Sequence, residues 1–172
     1  MGVEIERKFL LAGDGWRAEV ERTQPMAQGY LNDLRVLDGG LQKASVRVRI
    51  EGPSAFLNIK SAQAGPSRLE FDYPVPVEDA RQLLELCVGG VVRKRRHYVR
   101  HGGHLWEIDE FEGDNAGLVV AEIELDAVDE AFERPDWLGA EVTELKRYYN
   151  LALAERPWSR WSEAERAGPA PG

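Results

Sequence analysis

The sequence predicts an α+β, mainly β fold: an eight-stranded antiparallel barrel closed into a tunnel, with a polar, charged lumen and a few flanking helices. Three observations predict it. Eight stretches alternate in polarity or are rich in β-branched and aromatic residues, with turn signals between them. Nearly every stretch carries charges at i and i+2 with Val, Ile or Leu between, so each strand has one charged and one apolar face. Several charged faces pair like signs, Glu4 with Glu6, Arg47 with Arg49 and Glu122 with Glu124, whereas a face that need only be soluble mixes them. Closing the sheet removes the exposed edges that an open one would carry.

The first strand, about residues 3–11, places Glu4, Glu6 and Lys8 on one face. Neighbouring carboxylates repel unless an oxygen-preferring divalent cation joins them, so this strand reads as half of a metal and phosphate site. Strands follow at about 26–36, 44–51 and 54–62, with Arg47 and Arg49 on the third and Lys60 on the fourth. Glu51-Gly52-Pro53-Ser54 is a hairpin turn, and Asp38-Gly39-Gly40 marks a longer excursion. The fifth strand, about 67–77, carries Arg68, Glu70 and Asp72.

From Val77 to Val88 an acidic start, Leu83, Leu84 and Leu86, and a Gly89-Gly90 stop predict a helix. Strands at about 91–100, 103–113 and 118–127 bear Lys94 and Arg96, Glu107 and Asp109, and Glu122 and Glu124. A second helix is expected over 141–155, and the two helices cover the apolar outside of the barrel. From Arg156 on, Pro, Gly, Ala and charge dominate; residues 1–155 are expected to form one domain and 156–172 a flexible tail that only Trp158 and Trp161 could dock.

The totals narrow the function. The only cysteine, Cys87, rules out an internal disulfide framework, and with neither an apolar leader nor a run of ~20 apolar residues the reading is a cytoplasmic protein without a membrane span. A net charge of −8 argues against a nucleic-acid surface, which rests on many Lys and Arg releasing counterions. Any anion is met locally. Adding Lys146, the expected lumen holds eight basic and eight acidic residues, so the whole excess of −8 lies outside it. Two divalent cations would make that lumen positive and suited to a triphosphate.

Glu4-x-Glu6-x-Lys8, Gln28-Gly29-Tyr30-Leu31, Arg47-x-Arg49, Lys60-Ser61, Arg68-x-Glu70, Lys94-x-Arg96, Glu107-x-Asp109-x-Phe111, Glu122-x-Glu124 and Val142-Thr143-Glu144-x-x-Arg147-Tyr148 occur in that order. The ordered set resembles the CYTH superfamily of triphosphate tunnel metalloenzymes over about residues 2–153. The resemblance implies an eight-stranded tunnel, a Mg²⁺ or Mn²⁺ requirement and activity on triphosphate compounds, with short bacterial members mostly inorganic triphosphatases. The chain departs from it in a longer Asn32–Ser45 connection and in His97-Tyr98 after Arg96.

Phosphoanhydride hydrolysis needs charge neutralisation and in-line water more than covalent work by protein. Glu4, Glu6, Glu122 and Glu124 are the expected ligands of two Mg²⁺ or Mn²⁺ ions, with Asp109 and Glu107 further candidates. Lys8, Arg47, Arg49, Lys60, Lys94 and Arg96 are expected to grip the phosphates, Arg68 and Lys146 to line the entrances, and Glu6, Lys8 and Arg49 to act in catalysis. Tyr30 is a gate candidate by resemblance, or else a core tyrosine. Glu70 and Asp72 read equally as structural partners of Arg68 or Arg96 and as metal ligands; His97, His101 and His104 read as surface residues, and Trp16, Trp106 and Trp137 as core. A class IV adenylyl cyclase, a thiamine triphosphatase and a non-enzymatic polyphosphate or inositol-phosphate binding module stay open, as does a homodimer.

Overall fold

The computed structural model describes residues 5–62 and 69–170. Nine strands form one antiparallel sheet: β1 (Ile5–Leu11), β2 (Val20–Tyr30), β3 (Ala44–Glu51), β4 (Ser54–Ser61), β5 (Glu70–Val75), β6 (Val88–His101), β7 (His104–Phe111), β8 (Val119–Leu125) and β9 (Leu138–Glu141). Their order across the sheet is β5-β4-β3-β2-β6-β7-β8-β1-β9. Four short α-helices join them: α1 (Leu34–Asp38), α2 (Val77–Glu85), α3 (Asn150–Glu155) and α4 (Glu163–Ala167). No helix among the described residues is long and apolar enough to cross a membrane.

The expected closed barrel of eight strands is corrected to an open sheet of nine, with β5 and β9 as edges that do not pair with each other. Neither edge is built to close a ladder. β5 contains Pro74, which lacks a donor and suits an edge, and leaves Phe71 46% and Tyr73 51% exposed. β9 is four residues long, and the β1 register shifts between Phe9 and Leu11 where the two meet.

Other boundaries differ for local reasons. β2 begins at Val20 rather than near 26 and runs through Pro25. The Pro25 carbonyl accepts from Gly52 N, so its hydrogen-free nitrogen also faces the β3 side, where the ladder has ended. The chain leaves β2 at Tyr30, and the Asp33 side chain accepts from Arg35 N to start α1 where a strand was expected. Gly89 and Gly90 do not stop a helix; they lie in β6. A Cβ at Gly89, whose φ is +76°, would stand 2.9 Å from the Ala154 carbonyl oxygen, so bare backbone is what lets α3 lie on β6. The helix expected over 141–155 is instead the end of β9, a 3-10 turn at Lys146–Tyr148 and α3.

The apolar face of the sheet is covered as the alternation requires. Ala27, Val48 and Ala55 pack under Ala80 and Leu84 of α2. Phe9, Val99, Trp106, Ile108, Ala121 and Ile123 pack with Trp16 and Trp137, which confirms the three tryptophans as core. The segment from Val142 to Trp161 does something not expected. Val142, Tyr148, Leu153, Ala154 and Trp161 pack on Tyr30, Val92, Phe111 and Val120, which share strand parity with the charges, so this segment fills one end of the charged face.

Residues after Arg156, expected as a flexible tail, are folded there: Trp161 is 4% exposed, and Ser162 and Glu165 form a reciprocal capping box at the start of α4. Replacing Ser162 by Ala removes that cap and is expected to cost about 1 kcal/mol, lowering the melting temperature by roughly 2–4 °C. Calorimetry checks it; an unchanged transition would show that α4 does not belong to the cooperative unit.

Candidate functional site

The strand register gathers the expected residues on one face. β1 and β8 set Glu6 opposite Glu124 and Lys8 opposite Glu122; β8 and β7 set Glu122 opposite Glu107; β7 and β6 set Asp109 opposite Arg96. On the other side, β2 and β3 set Tyr30 opposite Arg47 and Gln28 opposite Arg49, and β3 and β4 set Arg47 opposite Asn58 and Ser45 opposite Lys60. The sheet curls about this face: Lys8 on β1 acts on the Tyr30 hydroxyl of β2, four strands away in the sheet order. Glu4 and Arg68 lie outside the described residues.

A buried ionic chain runs through the middle of the face. Lys94 Nζ donates to Asp109 Oδ2 at 2.6 Å, and Arg96 donates to Asp109 through Nε at 2.7 Å and Nη2 at 2.9 Å. Arg96 Nη1 meets Glu107 Oε2 at 2.5 Å, and its Nη2 lies 3.8 Å from Glu122 Oε2. Lys8 Nζ meets the other Glu122 oxygen at 3.1 Å. Burial alone would raise Asp109, but Lys94 and Arg96 beside it hold its carboxyl far below the carboxylate range. Both oxygens of Asp109, an expected ligand candidate, are engaged by these cations, for which it is the counter-ion. Lys94, expected to grip phosphate, is 2% exposed.

The two flanks of this chain are unbalanced in opposite senses. At the lip formed by β1 and β8, Glu6 is open to solvent on one side and walled by the sheet on the other. That desolvation first, and the hydrogen-bonded Glu122 carboxyl second, push Glu6 up to about 8 against the pull of Lys8. On β3, burial and the neighbouring Arg47 charge pull Arg49 below the usual guanidinium value, although Glu51 Oε1 lies 2.5 Å from its Nε.

One flank therefore crowds carboxylates about the Lys8 ammonium, and the other crowds the guanidinium groups of Arg47 and Arg49. Glu6 and Glu122, crowded and oxygen-bearing, fit a divalent cation such as Mg²⁺ or Mn²⁺. No group of three acidic, His or Cys side chains converges on one point among the described residues, and Glu4 of the expected ligand set lies outside them. Glu124 is exposed beside Glu6.

The remaining expectations sort by contact. Lys60 pairs with Glu70 at 3.4 Å, and Asp72 accepts from Asn58, so among the described residues these acids serve β4 rather than Arg96. Tyr30 is 6% exposed in the plug of apolar side chains, the core reading rather than the gate. Lys146 is exposed on its turn and joins no ion pair among the described residues. His97, read as a surface residue, is 7% exposed, stacks near Trp16 and shares a hydrogen bond of 2.8 Å with Thr23.

Asn58, 1% exposed, accepts from Arg47 Nε at 3.0 Å and aims that guanidinium. Sequence reading missed it, although its position two before Lys60 on the charged parity was a usable signal. Tyr148, Tyr149 and Asn150, which meet Lys8 and Lys94, gave no signal in spacing, because their contacts depend on how the turn seats them.

Residues 2–155 match the model of the CYTH domain. The inorganic triphosphatase of Acetivibrio thermocellus is 40% identical over 164 residues, covering 95% of this chain and 100% of that protein. The inorganic triphosphatase of Nitrosomonas europaea is 37% identical over 156 residues, covering 88% and 96%. A crystal structure of an inorganic triphosphatase superposes with a TM-score of 0.67 at 36% identity, over 90% of this chain and 95% of that one. A Hippeastrum protein with a dominant triphosphatase activity shares the fold at a TM-score of 0.54 and 15% identity, over 72% and 80%.

Proposed function

The chain belongs to the CYTH domain family, and on that premise we propose that it is a metal-dependent triphosphatase whose first substrate is inorganic triphosphate. The observation that carries the reading is the opposed imbalance on one curved face. Glu6 and Glu122 crowd negative charge on one flank, and Arg47 and Arg49 crowd positive charge on the other. A polyanion held with a divalent cation relieves both, and the names of the two bacterial relatives point to the same substrate.

Glu6 and Glu122, with Glu124 beside Glu6 and with Glu4 two residues before it in the sequence, would hold Mg²⁺ or Mn²⁺, two ions at full occupancy. A divalent cation held there would supply Lewis-acid chemistry, neutralising charge on phosphate oxygens and favouring the loss of a proton from water. The chain's own groups do the rest. Arg47, aimed by Asn58, and Arg49 present forked donors to phosphate oxygens, and Lys60 adds a point charge. Lys8, fixed on Glu122, keeps a positive charge at the junction of the two flanks. Arg96, clamped by Asp109 and Glu107, holds the electrostatic centre in place, so little reorganisation is needed as charge builds on the leaving phosphate. Residues 1–155 carry this chemistry.

The test is release of phosphate, pyrophosphate and cyclic AMP from tripolyphosphate, ATP and thiamine triphosphate, each with Mg²⁺, Mn²⁺ or EDTA. The expected result is phosphate release from tripolyphosphate that EDTA abolishes, with slower turnover of ATP. Cyclic AMP with pyrophosphate from ATP would make the protein a cyclase, and silence across the panel a binding module.

A further inference from the structure

The junction between the Lys146–Tyr148 turn and α3 meets two buried ammonium groups. The Tyr148 carbonyl accepts from Lys8 Nζ at 3.2 Å, and the Tyr149 ring centroid lies 4.8 Å from the same nitrogen. The next residue, Asn150, accepts from Lys94 Nζ at 3.2 Å through its side-chain oxygen. Among the described residues Lys94 has two hydrogen-bond acceptors, Asp109 and Asn150, for the three N–H groups of an ammonium with 2% exposure. Water cannot replace a lost acceptor at such a site, so removing Asn150 throws the whole cation onto Asp109.

Asp109 in turn holds Arg96 by two hydrogen bonds, and Arg96 reaches Glu107 and Glu122 on the charged face. A shift of Lys94 is therefore passed through Asp109 to the guanidinium. Resting on the reading of this face as a triphosphate site, we infer that Asn150 is a positioning residue for the reaction: through Lys94 and Asp109 it fixes Arg96 against the substrate. α3 is thus more than a plug. Its first residue sets the geometry of a strand it does not belong to, and the Gly89-Gly90 backbone is what lets it come close enough.

The full-length enzyme is assayed on tripolyphosphate with Mg²⁺ as parent, Asn150→Leu and Asn150→Asp. Leucine keeps the volume and removes the acceptor; aspartate restores an acceptor. Asn150→Leu is expected to lower kcat about tenfold, the scale of one hydrogen bond to a charged group, with KM within about twofold. Asn150→Asp is expected to recover most of kcat. Asn150→Ala gives the same comparison should the leucine variant not fold. Parental kcat in Asn150→Leu, or Asn150→Asp as slow as Asn150→Leu, overturns the inference alone. A parent inert toward every triphosphate overturns the functional reading and this inference with it.

Discussion

Replacing Glu6 by Gln is expected to lower kcat on tripolyphosphate about 100-fold or more while leaving the protein folded and, above neutral pH without metal, more stable than the parent. The two halves of this result have one cause. In the parent the Glu6 carboxyl is pushed up to about 8 from 4.5, first by desolvation and then by Glu122. The folded protein therefore holds the proton more tightly than the unfolded chain does. Stability contributed by protonated Glu6 is complete below the ordinary carboxylate range and is lost as pH rises toward about 8. Glutamine keeps the shape and the hydrogen bond to Glu122 without the charge, so it escapes that loss.

A divalent cation reverses the order of the two proteins. It binds the ionised pair, so Mg²⁺ should raise the melting temperature of the parent at pH 8 far more than that of Glu6→Gln. The loss of turnover follows from losing the several kcal/mol of charge stabilisation that such an ion supplies. Melting curves at acid and alkaline pH, with Mg²⁺ and with EDTA, are measured beside steady-state kinetics. Retained activity at saturating Mg²⁺, or a variant that is less stable than the parent in EDTA at pH 8, would sink the assignment of Glu6.

Strand parity is the part of this molecule that its sequence displays most openly. Glu6 and Lys8, Arg47 and Arg49, Lys94 and Arg96, Glu107 and Asp109, and Glu122 and Glu124 all fall on one face because a strand buried on one side must alternate, and a slip of one residue would bury every charge. What parity cannot give is depth along the face. Lys94 and Lys60 read alike in sequence, yet one is sealed behind Asp109 and Asn150 while the other stays partly open beside Glu70. The difference is made by the segment from Val142 to Trp161, whose seating depends on Gly89 and on Trp161 reaching Tyr148, contacts between positions far apart in the chain. Glycines at 89 and 90 signal a break in a local reading, and only the approach of α3 turns them into a strand. The open edges were hidden for a similar reason: nothing in β5 or in the four residues of β9 states which strand lies beyond it.

Replacing Asp109 by Ala is expected to be the most destabilising of the changes considered, by about 3–5 kcal/mol, because it leaves the buried Lys94 without its carboxylate and takes two hydrogen bonds from Arg96. Lys94 and Arg96 have side-chain exposures of 1% and 12%, and among the described residues Asp109 is the carboxylate with which both form ion pairs. For a chain of this length such a loss corresponds to a fall in melting temperature of roughly 6–20 °C. The parent should show the same dependence as acid sensitivity. Asp109 is held below its unfolded value, so its contribution is present above the ordinary carboxylate range and is lost only as pH falls through the lower, folded value. Asp109→Ala should lose that acid limb of the profile.

The double variant Lys94→Met with Asp109→Leu separates the worth of the pair from the penalty of breaking it. Packing an apolar pair in place of a buried ion pair is often neutral, so the double variant should recover a large part of the stability lost by Asp109→Ala. Arg96, still held by Glu107, limits that recovery. Turnover should not return with stability, since the guanidinium has lost the two hydrogen bonds that aim it. A double variant as active as the parent would show that Arg96 needs no aiming, and an Asp109→Ala protein within about 1 kcal/mol of the parent would show that the two cations find other partners; denaturant titration beside tripolyphosphate turnover distinguishes these results.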